Sequence, residues 1–520
     1  MKKVYIYIMY SLLATALHAQ DGFGTYLRDV IQKQEKGIMV TAKLIEACGL
    51  CDSLDLIMDF EYEMYYNRGH IQSSYYAGDD GYFYAPAHRY YGYTLFAETD
   101  EFWENVLGKD YTAITAADVA GYIRQNCQFT KDYSNDGDYS NTENVLYQFV
   151  TYHLLNRRLS MDRLVNHYNE YGYTVNMKMP SVPICEYYTT MGDRRLLRTY
   201  ESKESNGIYI NRFPKEDKSR QGSGHEISCD PDKEGIYIDG EKVIPDIRNA
   251  IVYPISKLLA FDQATARNMG SLRLRMDVAS FFPEMASNDI RLSKSTDSRY
   301  ANVYLPCDQY PYLDDLTVNN YNTYVCYWTG YNRGWSNMQG DEFSCRGMQD
   351  ITLRLPPVPT SGTYELRLAI QSGGNTRTIC QLYLGTDPDN LPPLGMPVDF
   401  RQGSNAIYTS SGSFPSYIGY ESDINDDYYN QAVDNELREN GFMKGCKQYA
   451  AGGPGTNTPM RASNYCLRRI LGRQVMDSDK TYYLRIKNFL DDMTRYLYLD
   501  YIELCPKEVY DNPEQPEDIW

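Results

Sequence analysis

Apolar positions change their period along this chain, and the change divides it in two. From Met39 onward Val40, Leu44, Ile45, Cys48, Leu50, Leu54 and Ile57 recur at helical spacing, which predicts a buried helical stretch. Ahead of it, Tyr26 to Lys36 is charged and reads as a linker or a short helix. Tyr75 to Tyr91 mixes Tyr with Gly, Asp, Pro and His, which predicts an insertion loop over the surface. Thr115 opens a helix running to Cys127, with Asp118 three residues on as a variant capping box. A further helix is predicted over Asn144 to Leu155, carrying Val145, Leu146, Phe149 and Val150 on one face. Short β-branched runs follow at 207–210, 235–238 and 250–253. Beyond Asp262, the segments Ser271–Met276, Ile351–Leu355, Tyr364–Ile370 and Tyr482–Lys487 alternate apolar with polar residues, the mark of half-buried antiparallel strands. The expected fold class is therefore α+β: helices packed on a small β structure, followed by an all-β sandwich.

The N-terminus adds a different signal. Lys2 and Lys3 precede an apolar run from Val4 to Leu17, and Leu17-His18-Ala19 ends it, the order of a secretory signal peptide cut near Ala19. No cysteine follows that run before Cys48, so export without a lipid anchor is expected, to the periplasm, the outer envelope or the medium. The domain plan is signal peptide 1–19, linker 20–37, helical and mixed domain 38–262, sandwich 263–508 and flexible tail 509–520. Twelve cysteines remain after cleavage, an even number that an oxidising compartment pairs. Cys48 and Cys51 have CxxC spacing but lack the βαβ context of a redox motif and a second CxxC for zinc.

Charge and composition narrow the partners. A net charge of −18 repels phosphate backbones and anionic headgroups, so neither nucleic acid nor membrane insertion after signal cleavage is expected. The 52 tyrosines suit half-buried strands and contact surfaces for a cell-surface protein or a polysaccharide. No HExxH, GxSxG, Walker or GxGxxG element is present, and the chain is expected not to be an enzyme.

Two loops carry candidate binding chemistry. Trp328, Tyr331, Asn332, Arg333 and Trp335 bring flat rings together with amide and guanidinium donors, a composition that suits a glycan platform; the reading preferred to it is one Trp plugging the end of the sandwich, since loop aromatics in such folds often serve packing. Asp132, Ser134, Asp136, Asp138, Ser140 and Glu143 place oxygen ligands around Gly137 in the spacing of an EF-hand loop, making calcium the one candidate cofactor; acidic connectors share that composition.

Three segments carry a resemblance. Thr94-Leu95-Phe96-Ala97-Glu98-Thr99-Asp100 resembles the first motif of fasciclin domains, Tyr152-His153 is similar to that family's central Tyr-His pair, and Ile244 to Leu259, with Asn249 and Tyr253, is similar to its second motif, a strand ending in a helical turn. Where the family carries Gly, His and Asp in that second motif, this chain has Ala250, Tyr253 and Ser256. The resemblance implies a fasciclin-like domain over 38–262 in which Thr94, Phe96, Thr99, Asp100, Tyr152, His153, Asn249 and Tyr253 hold the fold, and it implies adhesion or assembly at a cell envelope. Tyr364–Ile370 and Tyr496–Pro506 resemble strands of galactose-binding-like jelly rolls, common in carbohydrate-binding modules. Tyrosine usage and domain pairing resemble those of Bacteroidota proteins, which implies glycan binding by the sandwich as the alternative function.

Overall fold

The structure, a computed structural model, describes residues 25–34, 37–134, 136–166, 184–202, 207–213, 229–244, 247–291, 301–307, 309–329, 338–371, 374–446, 460–512 and 517. Residues 1–19, expected to form a signal peptide, lie outside them. Among the described residues the fold is mixed, with ten α-helices and strands in several sheets.

In the N-terminal half the Tyr93–Glu98 strand runs parallel to Ala250–Ile255, and Leu154–Leu155 pairs antiparallel on its other side. Strand side chains alternate between faces. Leu95, Ala97 and Val252 therefore enter a helical layer, and Phe96, Ile251, Tyr253 and Ile255 enter the opposite cluster. The layer comprises Leu27–Gln32, Met39–Ala47, Asp100–Leu107, Ala116–Asn126 and Val145–Tyr152.

Polar caps start these helices. Thr99 Oγ1 accepts from the Phe102 N–H at 3.2 Å, Asn144 Oδ1 from the Leu146 N–H at 2.9 Å, and Thr115 with Asp118 forms the anticipated capping box. Gly108 closes Asp100–Leu107 in the left-handed region, φ +64°, where an L side chain would strain.

Three expectations for this half need correction. The helix from Met39 stops at Ala47, and Leu50 and Leu54 reach the same core from turns. Within the expected linker 20–37 the short helix allowed for at Tyr26–Lys36 is found, at Leu27–Gln32, but its Leu27, Val30 and Ile31 are buried, so from Leu27 the chain belongs to the core. The second motif forms the Ala250–Ile255 strand, but bends rather than a helical turn follow it.

A four-stranded antiparallel sheet, Ile184–Thr189, Leu196–Glu201, Ile208–Ile210 and Ile236–Ile238, joins the halves. Its period-two alternation explains how: Tyr188 and Leu197 face the small sheet, and their neighbours Tyr187 and Leu196 enter the sandwich core.

Three sheets share that larger core. One runs Ser74–Tyr76, Tyr82–Tyr84, Ala301–Leu305, Thr323–Thr329, Asp341–Gly347, Tyr496–Leu499. The second runs Leu274–Asp277, Tyr501–Pro506, Gly362–Gln371, Cys466–Met476, Phe442–Lys444, and the third Leu316–Val318, Asp350–Arg354, Tyr483–Asn488, Ile379–Gly385, Val398–Asp399. Tyr327, Phe343 and Leu499 come into the core from the first, Leu366, Leu368 and Ile502 from the second, Leu353, Leu382 and Ile486 from the third.

Here too the structure differs from expectation. The Tyr75–Tyr91 segment is not a surface loop. Its hairpin extends the edge of the six-stranded sheet, with Tyr84 opposite Val303, because Tyr75 and Phe83 pack against the aromatic outer face of that sheet. A 13-residue helix, Asp427–Glu439, interrupts the strands and caps one sheet edge through Val433 and Leu437. Of the expected flexible tail 509–520, Tyr510 ends the Lys507–Tyr510 helix and Glu517 is gripped by arginines, while 513–516 and 518–520 lie outside the described residues. Cys48, Cys51, Cys127, Cys185, Cys326, Cys345, Cys380, Cys446 and Cys505 are thiols, so the expected pairing of cysteines is not found at these positions. Burial pushes the Cys48 and Cys127 thiols up to about 12, which makes them inert core groups.

Candidate functional site

The eight residues singled out by resemblance to fasciclin motifs fall in or near the small sheet, and their polar atoms tie chain segments together. Thr94 Oγ1 donates to the Arg157 carbonyl at 2.7 Å and accepts from the Leu159 N–H at 3.0 Å. Asp100 accepts from the N–H groups of Gly37 at 2.7 Å and Val40 at 2.9 Å. His153 Nδ1 lies 2.7 Å from the Phe149 carbonyl, which can only accept, so Nδ1 donates, and the Nε2 contact with Glu98 holds a second proton between that pair. Its Nε2 meets Glu98 at 2.7 Å, and the same carboxylate oxygen accepts from the Leu259 N–H. Tyr152 donates to the Leu196 carbonyl, Tyr253 to the Leu159 carbonyl, and Asn249 spans the Leu27 N–H and the Leu54 carbonyl. Phe96 stacks on Tyr253 with ring centroids 5.7 Å apart. Each buried polar group is satisfied, which is how such groups are tolerated in a core.

The tryptophan platform is corrected at Trp328. This ring is 2% exposed, stacks on Tyr498 at 5.7 Å and 14°, and has the Arg346 guanidinium 5.5 Å from its centroid. It is the centre of an aromatic cluster on the outer face of the six-stranded sheet, so it cannot stack on a sugar. Tyr331, Asn332, Arg333 and Trp335 lie outside the described residues. Exposed rings occur nearby instead, on the edge hairpin: Tyr76, Tyr82 and Tyr84 are 60%, 54% and 63% exposed. Tyr82 lies 4.8 Å from Tyr76 and 6.2 Å from Tyr84, centroid to centroid. Pattern reading assigned this hairpin to a loop and so missed it; the alternation Tyr82-Phe83-Tyr84 was the available signal.

The calcium loop does not have EF-hand surroundings. The preceding helix ends at Asn126, well before Asp132. Asp136 Oδ1 accepts from the Asp138 N–H and from Asn144, Asp138 Oδ1 accepts from Ser140, and Glu143 pairs with Lys131 at 2.8 Å. The position-twelve carboxylate is thus neutralised by a lysine rather than turned inward, Ser134 pairs through its backbone with Glu143, and Asp132 lines an open surface hollow of about 390 Å³ beside Lys131 and Arg124. Among the described residues no group of three His, Cys, Asp or Glu side chains is placed to hold a metal ion.

Two buried charge clusters went unnoticed in the sequence. In the first, Arg291 sits 3.3 Å from Glu186, 3.5 Å from Asp277 and 3.9 Å from Asp341, where the four-stranded sheet meets the sandwich. Burial and mutual repulsion hold Asp277 well above the carboxylate range. The adjoining cavity, lined by Arg157, Arg163 and Asn166 among others, has a volume of only about 20 Å³, room for a water molecule.

The second covers the outer face of the Gly362–Gln371 sheet. Arg367 is fully buried and meets Glu365 at 2.7 Å, Glu503 at 3.3 Å and Glu517 at 2.6 Å; Arg468 and Arg275 also hold Glu503. A β-bulge lies beside it, with Leu366 opposite Gly472 and Arg367 opposite Ile470. These residues are the polar members of strands read as half solvent-facing. The repeated choice of Arg and Glu there was the signal.

No family model matches the chain, and no curated protein does. Among solved structures, the K1 cleaved adhesin domain of Lys-gingipain from Porphyromonas gingivalis W83 is 10% identical over 36% of this chain and 93% of its own, with a TM-score of 0.18. A xanthan lyase from Paenibacillus is 12% identical, over 62% of this chain but 24% of its own, at 0.21. An exo-β-1,3-galactanase from Phanerochaete chrysosporium is 8% identical, over 62% and 68%, at 0.18. Scores this low carry no argument about function. Among the described residues no helix is long and apolar enough to cross a membrane.

Proposed function

We propose that the chain is an exported, non-catalytic protein of the cell envelope that mediates adhesion or assembly through a fasciclin-like unit. One observation carries the reading: three segments far apart in sequence, each resembling a fasciclin motif, meet around one parallel strand pair, where His153 reaches Glu98 and Phe96 stacks on Tyr253. Beads coated with the mature chain should attach to cells bearing the protein, or to one another, more than beads coated with an inert protein of similar charge. Equal attachment would remove the adhesion reading.

The second reading is glycan binding by the sandwich. It is favoured by the three exposed tyrosines of the edge hairpin, because flat exposed rings stack on the C–H faces of sugars. A glycan array on the mature chain, run with and without calcium, tests it. Binding that survives Tyr82→Ser would move the site elsewhere, and calcium dependence would bring back Asp132 to Glu143.

A further inference from the structure

The carboxylate of Glu517 occupies a socket that the sandwich has built from arginine. Arg367 offers Nη1 at 2.6 Å and Nη2 at 2.8 Å, Arg273 offers Nη1 at 2.8 Å, and Arg438 offers Nη1 at 2.9 Å. Glu365 and Glu503, which are 1% and 0% exposed, hold the backs of these guanidinium groups: Arg367 Nε donates to Glu365 at 2.8 Å, Arg438 Nη2 to Glu365 at 3.1 Å, and Arg275 and Arg468 close on Glu503. The forks are therefore fixed before any ligand arrives, and the paired N–H groups of Arg367 match a planar carboxylate.

Three guanidinium groups, those of Arg273, Arg367 and Arg438, converge on the one Glu517 carboxylate. Removing one partner of a buried, hydrogen-bonded ion pair is strongly disfavoured, so a released tail leaves a site that favours another carboxylate. Glu517 belongs to no described helix or strand.

We infer that this arginine socket on the outer face of the Gly362–Gln371 sheet is a receptor for an acidic peptide segment, filled in this structure by the chain's own Glu517. The inference stands on the sandwich alone and is independent of the fasciclin reading. The neighbouring guanidinium groups hold the Glu517 carboxyl well below the usual carboxylate range, so the socket takes the ionised form. Binding in cis masks it, because a tethered ligand acts at an effective concentration on the order of millimolar.

The test uses a fluorescent peptide of residues 511–520 and the mature chain ending at Asn512. The shortened chain should bind the peptide, and the peptide carrying Glu517→Gln should bind about tenfold or more weakly, since a charge-assisted pair is lost. The intact chain should bind at least tenfold more weakly than the shortened one, through competition by its tail. Should the shortened chain fail to fold, the full chain with Glu517→Gln takes its place, keeping the backbone while emptying the socket of charge. A folded chain of either kind that does not bind the peptide, or binds both peptides alike, overturns the proposal.

Discussion

On the small sheet, Tyr152, Asn249 and Tyr253 meet carbonyl and amide partners, whereas on the outer face of the five-stranded sheet Arg367 alone contacts Glu365, Glu503 and Glu517. Both regions bury polar side chains next to an apolar core. In the first, Tyr152, Asn249 and Tyr253 are neutral pegs, each joining backbone segments distant in sequence, and removing one leaves one or two unmet groups. The second uses a shared ionic lattice in which each member is desolvated and justified only by the rest. Neutral pegs fail singly; a lattice fails together.

The largest expected effect follows from that difference. Arg367→Ala leaves Glu365 and Glu503 buried without their central cation and should destabilise the chain by about 3–5 kcal/mol in a denaturant titration. Arg367→Met fills the volume but not the charge, and should recover only the packing share. Should Arg367→Ala cost no more than an ordinary surface change, the lattice is decoration and the contrast collapses.

Asn249→Ala comes next. It removes the acceptor of the Leu27 N–H and the donor to the Leu54 carbonyl, both buried, for roughly 1–3 kcal/mol. The same variant should speed protease cleavage near Leu27–Gln32 more than anywhere in the sandwich, since the peg fastens that helix. Cleavage that rises evenly along the chain would deny it a local role.

The two outer faces of the sandwich should also answer pH in opposite directions. On the six-stranded sheet, burial pushes the Glu342 carboxyl up to about 8, with Arg377 and Arg346 drawing it down and Asp341 and Asp80 raising it. Its folded value exceeds the ordinary 4.5, so its contribution to stability is complete below that value and is lost as pH rises toward 8. Glu517 has the reverse sign: its contribution is present above 4.5 and is lost as pH falls. Glu342→Gln keeps the neutral form, so its stability relative to the parent should climb between pH 5 and 8 by on the order of 1 kcal/mol per pH unit. Glu517→Gln should show its deficit at neutral pH, shrinking in acid. Denaturant midpoints across this range read both slopes, and parallel slopes would end the contrast.

How much of this was legible in the sequence also differs between the regions. The capped starts at Thr115 and Asn144 and the alternating strands at Ile351 and Tyr364 were readable, because caps and period-two patterns are local. What single polar residues hold was not readable, because the partners are remote in sequence: Asn249 meets Leu27 across 222 residues. Alternation identified Glu365 and Arg367 as outward-facing, but burial of that face depends on a helix and a tail that alternation does not see. Trp328 was left between platform and plug for a related reason. Its loop composition suggested exposure, and the segment that covers its sheet face, around Phe83, lies far upstream and had been set aside as a loop.

The smallest effect on stability is expected at the edge hairpin, and it sharpens the comparison because it separates contact from support. Tyr82 and Tyr84 point to one side of their strand and remain mostly exposed, while Phe83 points to the other and is fully buried against Trp328. Tyr82→Ser with Tyr84→Ser should thus change the unfolding free energy by no more than about 0.5 kcal/mol per site, the range of surface substitutions without special partners. Phe83→Ala, one residue away, should cost about 3–5 kcal/mol. If the double tyrosine variant keeps its stability and loses attachment or glycan binding, the hairpin is a contact surface carried by the sandwich. A loss of stability comparable to that of Phe83→Ala would instead make these rings a third structural device, beside the pegs and the lattice.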